Sequence, residues 1–444
     1  MSNIGTLEGY TKPPGLARIC MVLLASGLVS VAVASDSSAG FEVAPDLAPS
    51  VLLPASMVSG THFQVVEPVQ SDGLMHVYTI DSKFGQFDAY GRAALEVRIH
   101  EIAALTEISK TSTIEVAAGG VGRGVGTQVQ TAVGVVAHPV ATITGIPKGI
   151  AHLFHGYVDE GKEAVGKAQN VAAPTAGAAA TRSTAVAQGE SAAKRYASRY
   201  FGLTSAERHW YEKLGVDPYT DNAVLRKAIH KIATVDAAAG FGMRFVGIPS
   251  IPGIGDIHQV MEAVYKEDPA TIRARTKTTL AGYGLDRSEI ERWQNVLVLS
   301  PTRQVLLLKL AAALDAVDGR GELFRHAMGL TSDGEAQVYL QSVELLVLAH
   351  RKQPIASILA GVRLPAARRA DGSIVVCGAF DAVYWTADVE RGEQQIRRIL
   401  TPGVAGTREL WLNGSASDRV REELRERGWT LREVQDSKSE AVLR

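Results

Sequence analysis

Residues 62–89 read HFQVVEPVQSDGLMHVYTIDSKFGQFDA and carry the strongest hairpin signal in the chain. Apolar and polar residues alternate over 62–66 and 75–80, on either side of the turn residues Ser71-Asp72-Gly73. A further alternating stretch over 84–89 follows a short turn. The sequence therefore predicts a small antiparallel β-meander in this part of the chain.

The residues after the meander change to helical spacing. Ala94, Val97, Ile102 and Leu105 recur every three to five positions, which predicts a helix over residues 92–108. Because three strands with one covering helix make a compact unit, we expect residues 61–115 to form a β-meander plus helix. Residues 35–60, rich in Ser, Ala, Pro and Gly, are predicted to be a flexible leader.

An uncharged run of 16 residues, 19–34, lies near the start of the chain and follows Lys12 and Arg18. This pattern is typical of a secretory signal peptide. The run is shorter than the roughly 20 residues that a permanent membrane-spanning helix needs. We therefore expect an exported protein, periplasmic or secreted, with an anchor formed by an uncleaved N-terminal segment as the alternative.

The predicted signal peptide covers residues 1–34. Ala32 and Ala34 supply the small side chains of a cleavage site, and the mature chain would begin at Ser35. Cleavage would remove Cys20 and leave Cys377 alone, so no intramolecular disulfide is expected.

The composition of the 444 residues is that of a globular protein, with 46% hydrophobic and 21% charged residues. The formal net charge is −1. Such a balance gives no electrostatic footprint for nucleic acid, so we expect no nucleic-acid partner.

The segment 116–169 is rich in glycine and alanine, and its interval 124–147 contains no Asp, Glu, Lys or Arg. Two interpretations remain open: a membrane-interacting segment, or close-packed small-residue helices or a loop of a soluble protein. The absence of Leu and Phe from that interval and the prolines Pro139 and Pro147 favour the second. Residues 170–191 are low in complexity and are predicted to be a linker.

The rest of the chain predicts two further parts. Residues 192–350 have helical periodicity throughout, with Ser300-Pro301 as a helix start. Residues 351–444 alternate strands and helices, which indicates a small α/β domain. Its strands are predicted at 355–362, 373–377, 409–412 and 429–434, and its helices at 389–400 and after Ser417-Asp418. The predicted fold class is therefore α+β and multi-domain.

Catalytic and metal-binding signatures are matched only in part. His100-Glu101-Ile102-Ala103-Ala104 begins like a zinc-protease helix, but Ala104 stands where the second histidine is needed. Residues 156–162 have phosphate-loop spacing, yet Glu163 replaces the Ser or Thr that would bind magnesium. We therefore predict no cofactor and no metal site.

Two potential nucleophiles are also poorly supported. Ser191 and Lys194 fit an S-x-x-K pattern but lack its companion motifs. Cys377 lies in a predicted strand with no histidine within 25 residues, which favours a buried structural thiol over a reactive one. No catalytic residue is assigned from sequence.

Two stretches are candidate interaction surfaces. Arg363, Arg368 and Arg369 lie beside the predicted turn at Asp371-Gly372 and would suit an anionic lipid or a partner's carboxylates, with a solvated turn as the alternative. The sequence FVGIPSIPGIG at 245–255 is either a membrane or pocket loop, or an apolar connection between two helices.

These observations leave three hypotheses of function. The first is an exported cell-envelope protein, non-enzymatic, that binds a membrane surface or another envelope protein. The second is an exported hydrolase, which requires mutually hydrogen-bonded Ser, His, Asp or Cys side chains in the fold. The third is a secreted membrane-inserting effector, which requires residues 116–150 to enter a bilayer.

Overall fold

The computed structural model describes residues 40–111, 192–239, 257–400 and 406–434. It confirms the predicted α+β class, with sheets in the N-terminal and C-terminal regions and helices between them. The predicted signal peptide, the segment 116–169, the predicted linker and the loop 245–255 lie outside the described residues. Predictions about them therefore stay predictions.

The N-terminal region, residues 40–111, combines two short helices, five strands and one long helix. In chain order these are α1 (Pro49–Leu52), α2 (Ala55–Val58), β1 (Ser59–Gly60), β2 (Phe63–Val65), β3 (Gln70–Ser71), β4 (His76–Ser82), β5 (Gly85–Tyr90) and α3 (Arg92–Thr111). The strands are antiparallel in the order β1-β2-β4-β3, and β5 pairs with β4.

The predicted turn at Ser71-Asp72-Gly73 is confirmed, and its chemistry is visible. A carboxylate oxygen of Asp72 accepts hydrogen bonds from the amides of Leu74, at 2.9 Å, and Met75, at 2.7 Å. Gly73 has a φ of 92°, a left-handed conformation that favours glycine. The turn joins β3 to β4, so it places Asp72 and His76 at one end of the sheet.

Residues 40–60 differ from the flexible leader expected there. They contain α1 and α2 and are hydrogen-bonded to both the N-terminal and the C-terminal region. Leu47 and Val69 exchange two backbone hydrogen bonds of 3.0 and 2.8 Å, and the amide of Glu42 donates to the carbonyl of Trp385 at 2.8 Å. These contacts hold the segment against neighbours that local composition does not reveal.

Residues 192–239 and 257–352 are helical, as predicted. After helical residues 192–200 come α4 (Ser205–Leu214), α5 (Ala223–Ala239), α6 (Ile257–Lys266), α7 (Pro269–Gly282), α8 (Arg287–Gln294), α9 (Pro301–Ala312), α10 (Gly321–Ala327) and α11 (Asp333–Lys352). The predicted cap is present, since the hydroxyl of Ser300 accepts from the amide of Arg303 at 3.3 Å and Pro301 begins α9.

The C-terminal region contains a five-stranded mixed sheet. Its elements are β6 (Ser357–Ile358), β7 (Ala366–Arg368), β8 (Ile374–Gly378), β9 (Ala382–Val383), α12 (Ala387–Leu400), β10 (Arg408–Leu412), β11 (Ser415–Ala416), α13 (Asp418–Glu426) and β12 (Trp429–Glu433). The order is β12-β10-β8-β7-β6, with β8, β10 and β12 parallel and β7 antiparallel to β6 and β8. The short strands β9 and β11 pair beyond the carboxyl ends of β8 and β10.

Helices cover both faces of this sheet. The hydroxyl of Ser342 on α11 accepts from the amide of Ala379 at 2.9 Å, which fixes α11 against the end of β8. On the other face a cavity of about 30 Å³ lies among apolar side chains of β8, β10, α12 and α13, with Glu393 also at its wall. Its lining includes Val376, Phe380, Leu410, Val420 and Leu424.

One buried core extends from the helices α7–α11 into the C-terminal sheet, and a second joins the N-terminal sheet to α3, α4 and α5. The described residues group as one compact unit. Among the described residues, no helix is both long enough and apolar enough to span a bilayer.

Candidate functional site at the carboxyl end of β8

The carboxyl end of β8 is where the N-terminal hairpin meets the C-terminal sheet. The chain leaves β8 through Ala379 and Phe380 and reaches Asp381. Ligands of α/β sheets bind in the crevice outside the carboxyl ends of parallel strands, which makes this edge the candidate site of the C-terminal sheet. Here the carbonyls of Gly73 and Leu74 accept hydrogen bonds from the amides of Tyr384, at 2.9 Å, and Ala382, at 3.2 Å.

Asp381 is the centre of this junction. Its carboxylate accepts from the backbone amide of His76 at 3.0 Å and from the amide of Arg92, the first residue of α3, at 3.2 Å. A carboxylate at a helix N-terminus is favoured by the partial positive charge of the unpaired amides there. Gly91 keeps the approach open, because it has a φ of 86° and a Cβ there would lie 2.4 Å from Met75.

Burial dominates the protonation of Asp381. It raises the pKa of the carboxyl group to about 6, although the amide hydrogen bonds from His76 and Arg92 act in the opposite direction. The negative charge of Asp72 raises the pKa further. A carboxyl group with a pKa in this range can hold or release a proton close to neutral pH.

His76 packs beside this carboxylate with only 4% of its surface exposed. Its Nδ1 lies 3.7 Å from Oδ2 of Asp381, and its Nε2 has no hydrogen-bond partner among the described residues. Burial lowers the pKa of His76, and the charge of Asp72 only partly opposes this. The imidazole is therefore neutral at pH 7.

Tyr90 and Asp72 complete the cluster. The phenol of Tyr90 donates a short hydrogen bond to Oδ2 of Asp72. Burial, together with the charge of Asp72, raises the pKa of Tyr90 well above its ordinary value, so the phenol stays protonated. We call Asp72, His76, Tyr90 and Asp381 the junction cluster.

The junction cluster has the residue types of acid–base chemistry, but most of its hydrogen bonds are made to other groups of the protein. Both carboxylates accept from backbone amides of this chain. In the part of the chain that the structure describes, no hydroxyl or thiol is paired with the free nitrogen of His76. The arrangement thus suits proton transfer better than nucleophilic attack.

The three arginines expected to form an interaction surface differ in how far they are exposed to solvent. Arg363 is 9% and Arg369 3% exposed, while Arg368 is half-buried. The guanidinium of Arg369 lies 2.7 Å from Glu409, whose carboxylate also accepts from the indole of Trp411 at 3.0 Å. Arg363 and Arg369 therefore belong to the interior and do not form an open cationic patch.

The other residues weighed from sequence can also be located. Cys377 is fully buried, and burial raises the pKa of its thiol well above the ordinary value, as a structural thiol requires. His100 contacts the carbonyl of Gly215 at 3.1 Å. Ser191 and residues 156–163 lie outside the described residues. Within the described ranges, no group of three or more His, Cys, Asp and Glu side chains is arranged to hold a metal ion.

Sequence reasoning missed the junction cluster as a unit. It identified Asp72 only as a turn residue and gave no role to His76, Tyr90 or Asp381. One signal was available: Gly378-Ala379-Phe380-Asp381 places a carboxylate just after a buried apolar strand, at the edge where α/β sheets bind ligands.

Comparison with known proteins adds no further identification. No family model, curated protein or solved structure gives a significant match to the chain.

Proposed function

We propose that this protein is an exported, non-enzymatic component of the cell envelope that binds a membrane surface or another envelope protein. The observation that carries the proposal is the position of the N-terminal hairpin. It covers the carboxyl end of β8, the edge at which an α/β enzyme would open its active-site crevice.

The cover is held at several points. The carbonyls of Gly73 and Leu74 accept hydrogen bonds from backbone amides that follow β8. The carboxylate of Asp381 accepts hydrogen bonds from the backbone amides of His76 and Arg92. These bonds use backbone groups from both regions, so a substrate would have to displace them before reaching Asp381. This supports a structural role for the junction cluster.

Export is supported by the sequence of residues 1–34. In an exported chain a binding function needs no ATP or nicotinamide supply. Cys377 as a buried thiol is compatible with either compartment, since it is not available for exchange.

The test is fractionation of the producing cells, with mass spectrometry of the mature N-terminus and a carbonate wash of the membrane pellet. We expect a chain that begins at Ser35 in the periplasmic or secreted fraction, with a portion that the wash releases from membranes. An intact chain that begins at Met1 and stays in the cytoplasm would contradict the proposal.

A second candidate, an exported hydrolase, is favoured by one observation. Asp381, with its raised pKa, lies beside Nδ1 of His76, whose Nε2 has no hydrogen-bond partner among the described residues. A panel of ester, peptide and glycoside substrates separates the two proposals. Hydrolysis that is lost in Asp381→Asn but kept in Asp88→Asn, an exposed strand residue, would favour the enzyme.

A further inference from the structure

The outer face of α5 presents three cationic side chains together with one histidine. Arg226, Lys227, His230 and Lys231 are all exposed, and their spacing places them within about 140° of arc around a helix with 100° per residue. The side chain of His230 is 71% exposed. We call these four residues the α5 basic face.

The opposite face of the same helix packs against the protein core. Leu225, Ile229 and Ile232 are completely buried and belong to the core shared with α3 and α4. The helix is therefore fixed in place, and its orientation towards solvent is set by packing rather than by its charges.

The charges of this face are poorly neutralised. Among the residues whose side chains the structure describes, which leaves out 235–239 at the end of α5, no carboxylate forms an ion pair with Arg226, Lys227 or Lys231, while His230 contacts Glu207 at 2.8 Å. The carboxylate of Asp221, just before α5, forms an ion pair with the guanidinium of Arg98 at 2.6 Å.

Other arginines of the described chain contrast with this face. Arg421 lies 2.9 Å from Asp418 and 2.8 Å from Glu433, and Arg427 is paired with Glu390 and Glu423. In these places each cation is matched locally, so little field extends into solvent. By contrast, the positive potential of the α5 basic face extends into solvent.

We propose that the α5 basic face binds the surface of an anionic lipid bilayer. This inference rests on the proposed envelope function and identifies the α5 basic face as the surface that contacts the membrane. Basic residues on one side of an amphipathic helix are attracted to anionic headgroups, and the attraction is worth about fivefold in binding per cation near the surface.

A lipid surface fits this face better than an acidic protein does. The centre of a protein interface is usually apolar and desolvated, and the α5 basic face offers no large exposed apolar side chain. A layer of headgroups requires only positive charge at its surface. It imposes no fixed geometry on the flexible lysine side chains.

The test uses the full mature chain and vesicles of two compositions. One is pure phosphatidylcholine and the other contains about one-third phosphatidylglycerol, so that only the second is anionic. We expect co-sedimentation with the anionic vesicles at about 0.05 M NaCl and its loss at about 0.5 M, because salt screens exposed charges.

The variant Lys227→Glu/Lys231→Glu should bind the anionic vesicles about thirtyfold more weakly or worse, since two attractive charges are lost. The matched control is Lys277→Glu/Arg292→Glu, which makes the same change in net charge at exposed positions of α7 and α8. It should bind within about twofold of the parent chain. Circular dichroism and thermal unfolding confirm that both variants are folded.

Two results would overturn the inference: no binding of the parent chain to anionic vesicles, or equal losses in both double variants. In either case the protein can still be exported and captured by an envelope protein, which would leave the proposed function standing. A cytoplasmic chain with an intact N-terminus overturns the proposed function whatever the vesicles show.

Discussion

The carboxylate of Asp381 accepts a hydrogen bond from the amide of Arg92, a residue 289 positions earlier in the chain. This bond links the first residue of α3 to the loop that follows β8. It joins the N-terminal and C-terminal sheets through one buried carboxyl group, whose protonation should therefore affect the stability of the whole fold.

The first prediction concerns the pH dependence of that stability. Because the pKa of Asp381 is raised to about 6 in the folded protein, the folded state binds a proton that the unfolded state releases between about pH 4 and pH 6. The favourable contribution is thus fully present below about pH 4 and is lost as pH rises through 6. The total is about 3 kcal/mol.

Asp381→Asn removes this titration. The free energy of unfolding of the parent chain minus that of the variant should fall by up to about 3 kcal/mol between pH 4 and pH 7, as measured by urea denaturation. Asp88→Asn is the exposed control, and equal pH slopes in the parent chain and Asp381→Asn would refute this assignment.

The second prediction concerns the ion pair of Arg369 and Glu409. Arg369 is 3% exposed, so Arg369→Met leaves Glu409 with one fewer counter-charge in the interior. We expect a loss of about 3 kcal/mol in the free energy of unfolding.

The double variant Arg369→Met/Glu409→Gln should recover part of this loss, because the unpaired charge is gone. Arg421→Met, at a half-exposed ion pair, should cost less than about 1 kcal/mol. If Arg369→Met were as mild as Arg421→Met, the interior position of Arg369 would be disproved.

The third prediction concerns the cavity of about 30 Å³ beside Val376. Val376→Ile adds one methylene group towards empty space and should raise the free energy of unfolding by up to about 1 kcal/mol. The neighbouring Val375 is fully buried and points to the opposite face of β8, which α11 covers.

Val375→Ile is therefore the matched control, and overpacking should make it destabilising by about 1 kcal/mol or more. Thermal unfolding of the two variants measures the difference directly. A reversed order of stability would show that the space lies on the α11 side.

The meander, the helix after it and the later helix caps were predictable because their signals are local. Asp72-Gly73 specifies a turn by its own side-chain and backbone chemistry, and Ser300-Pro301 specifies a helix start in the same way. These interactions span only a few residues, so they are visible in the sequence.

Strand β7 was missed because its residues have no strand preference. Ala366-Ala367-Arg368 becomes a strand through burial between β6 and β8, which propensity cannot show. The predicted strand over 355–362 shrank to β6, and Gly361 has a φ of 86° that an extended strand does not adopt.

The candidate site was hidden for a related reason. His76 and Asp381 are 305 positions apart, and no motif spacing links them. Arg369 looked like a surface residue because its partner, Glu409, lies on a strand 40 positions further along. Both relationships depend on tertiary packing, which fixes the pairing only once the sheets have formed.

The same separation has a consequence for the order of folding. The start of α3 and the N-terminal hairpin obtain their partner only when residue 381 is present, and closing so long a loop is slow. The N-terminal region therefore cannot reach its final packing while most of the chain is still being made. In the proposed export of this protein, the same delay would leave the N-terminal region without its C-terminal partner until residue 381 has been synthesised.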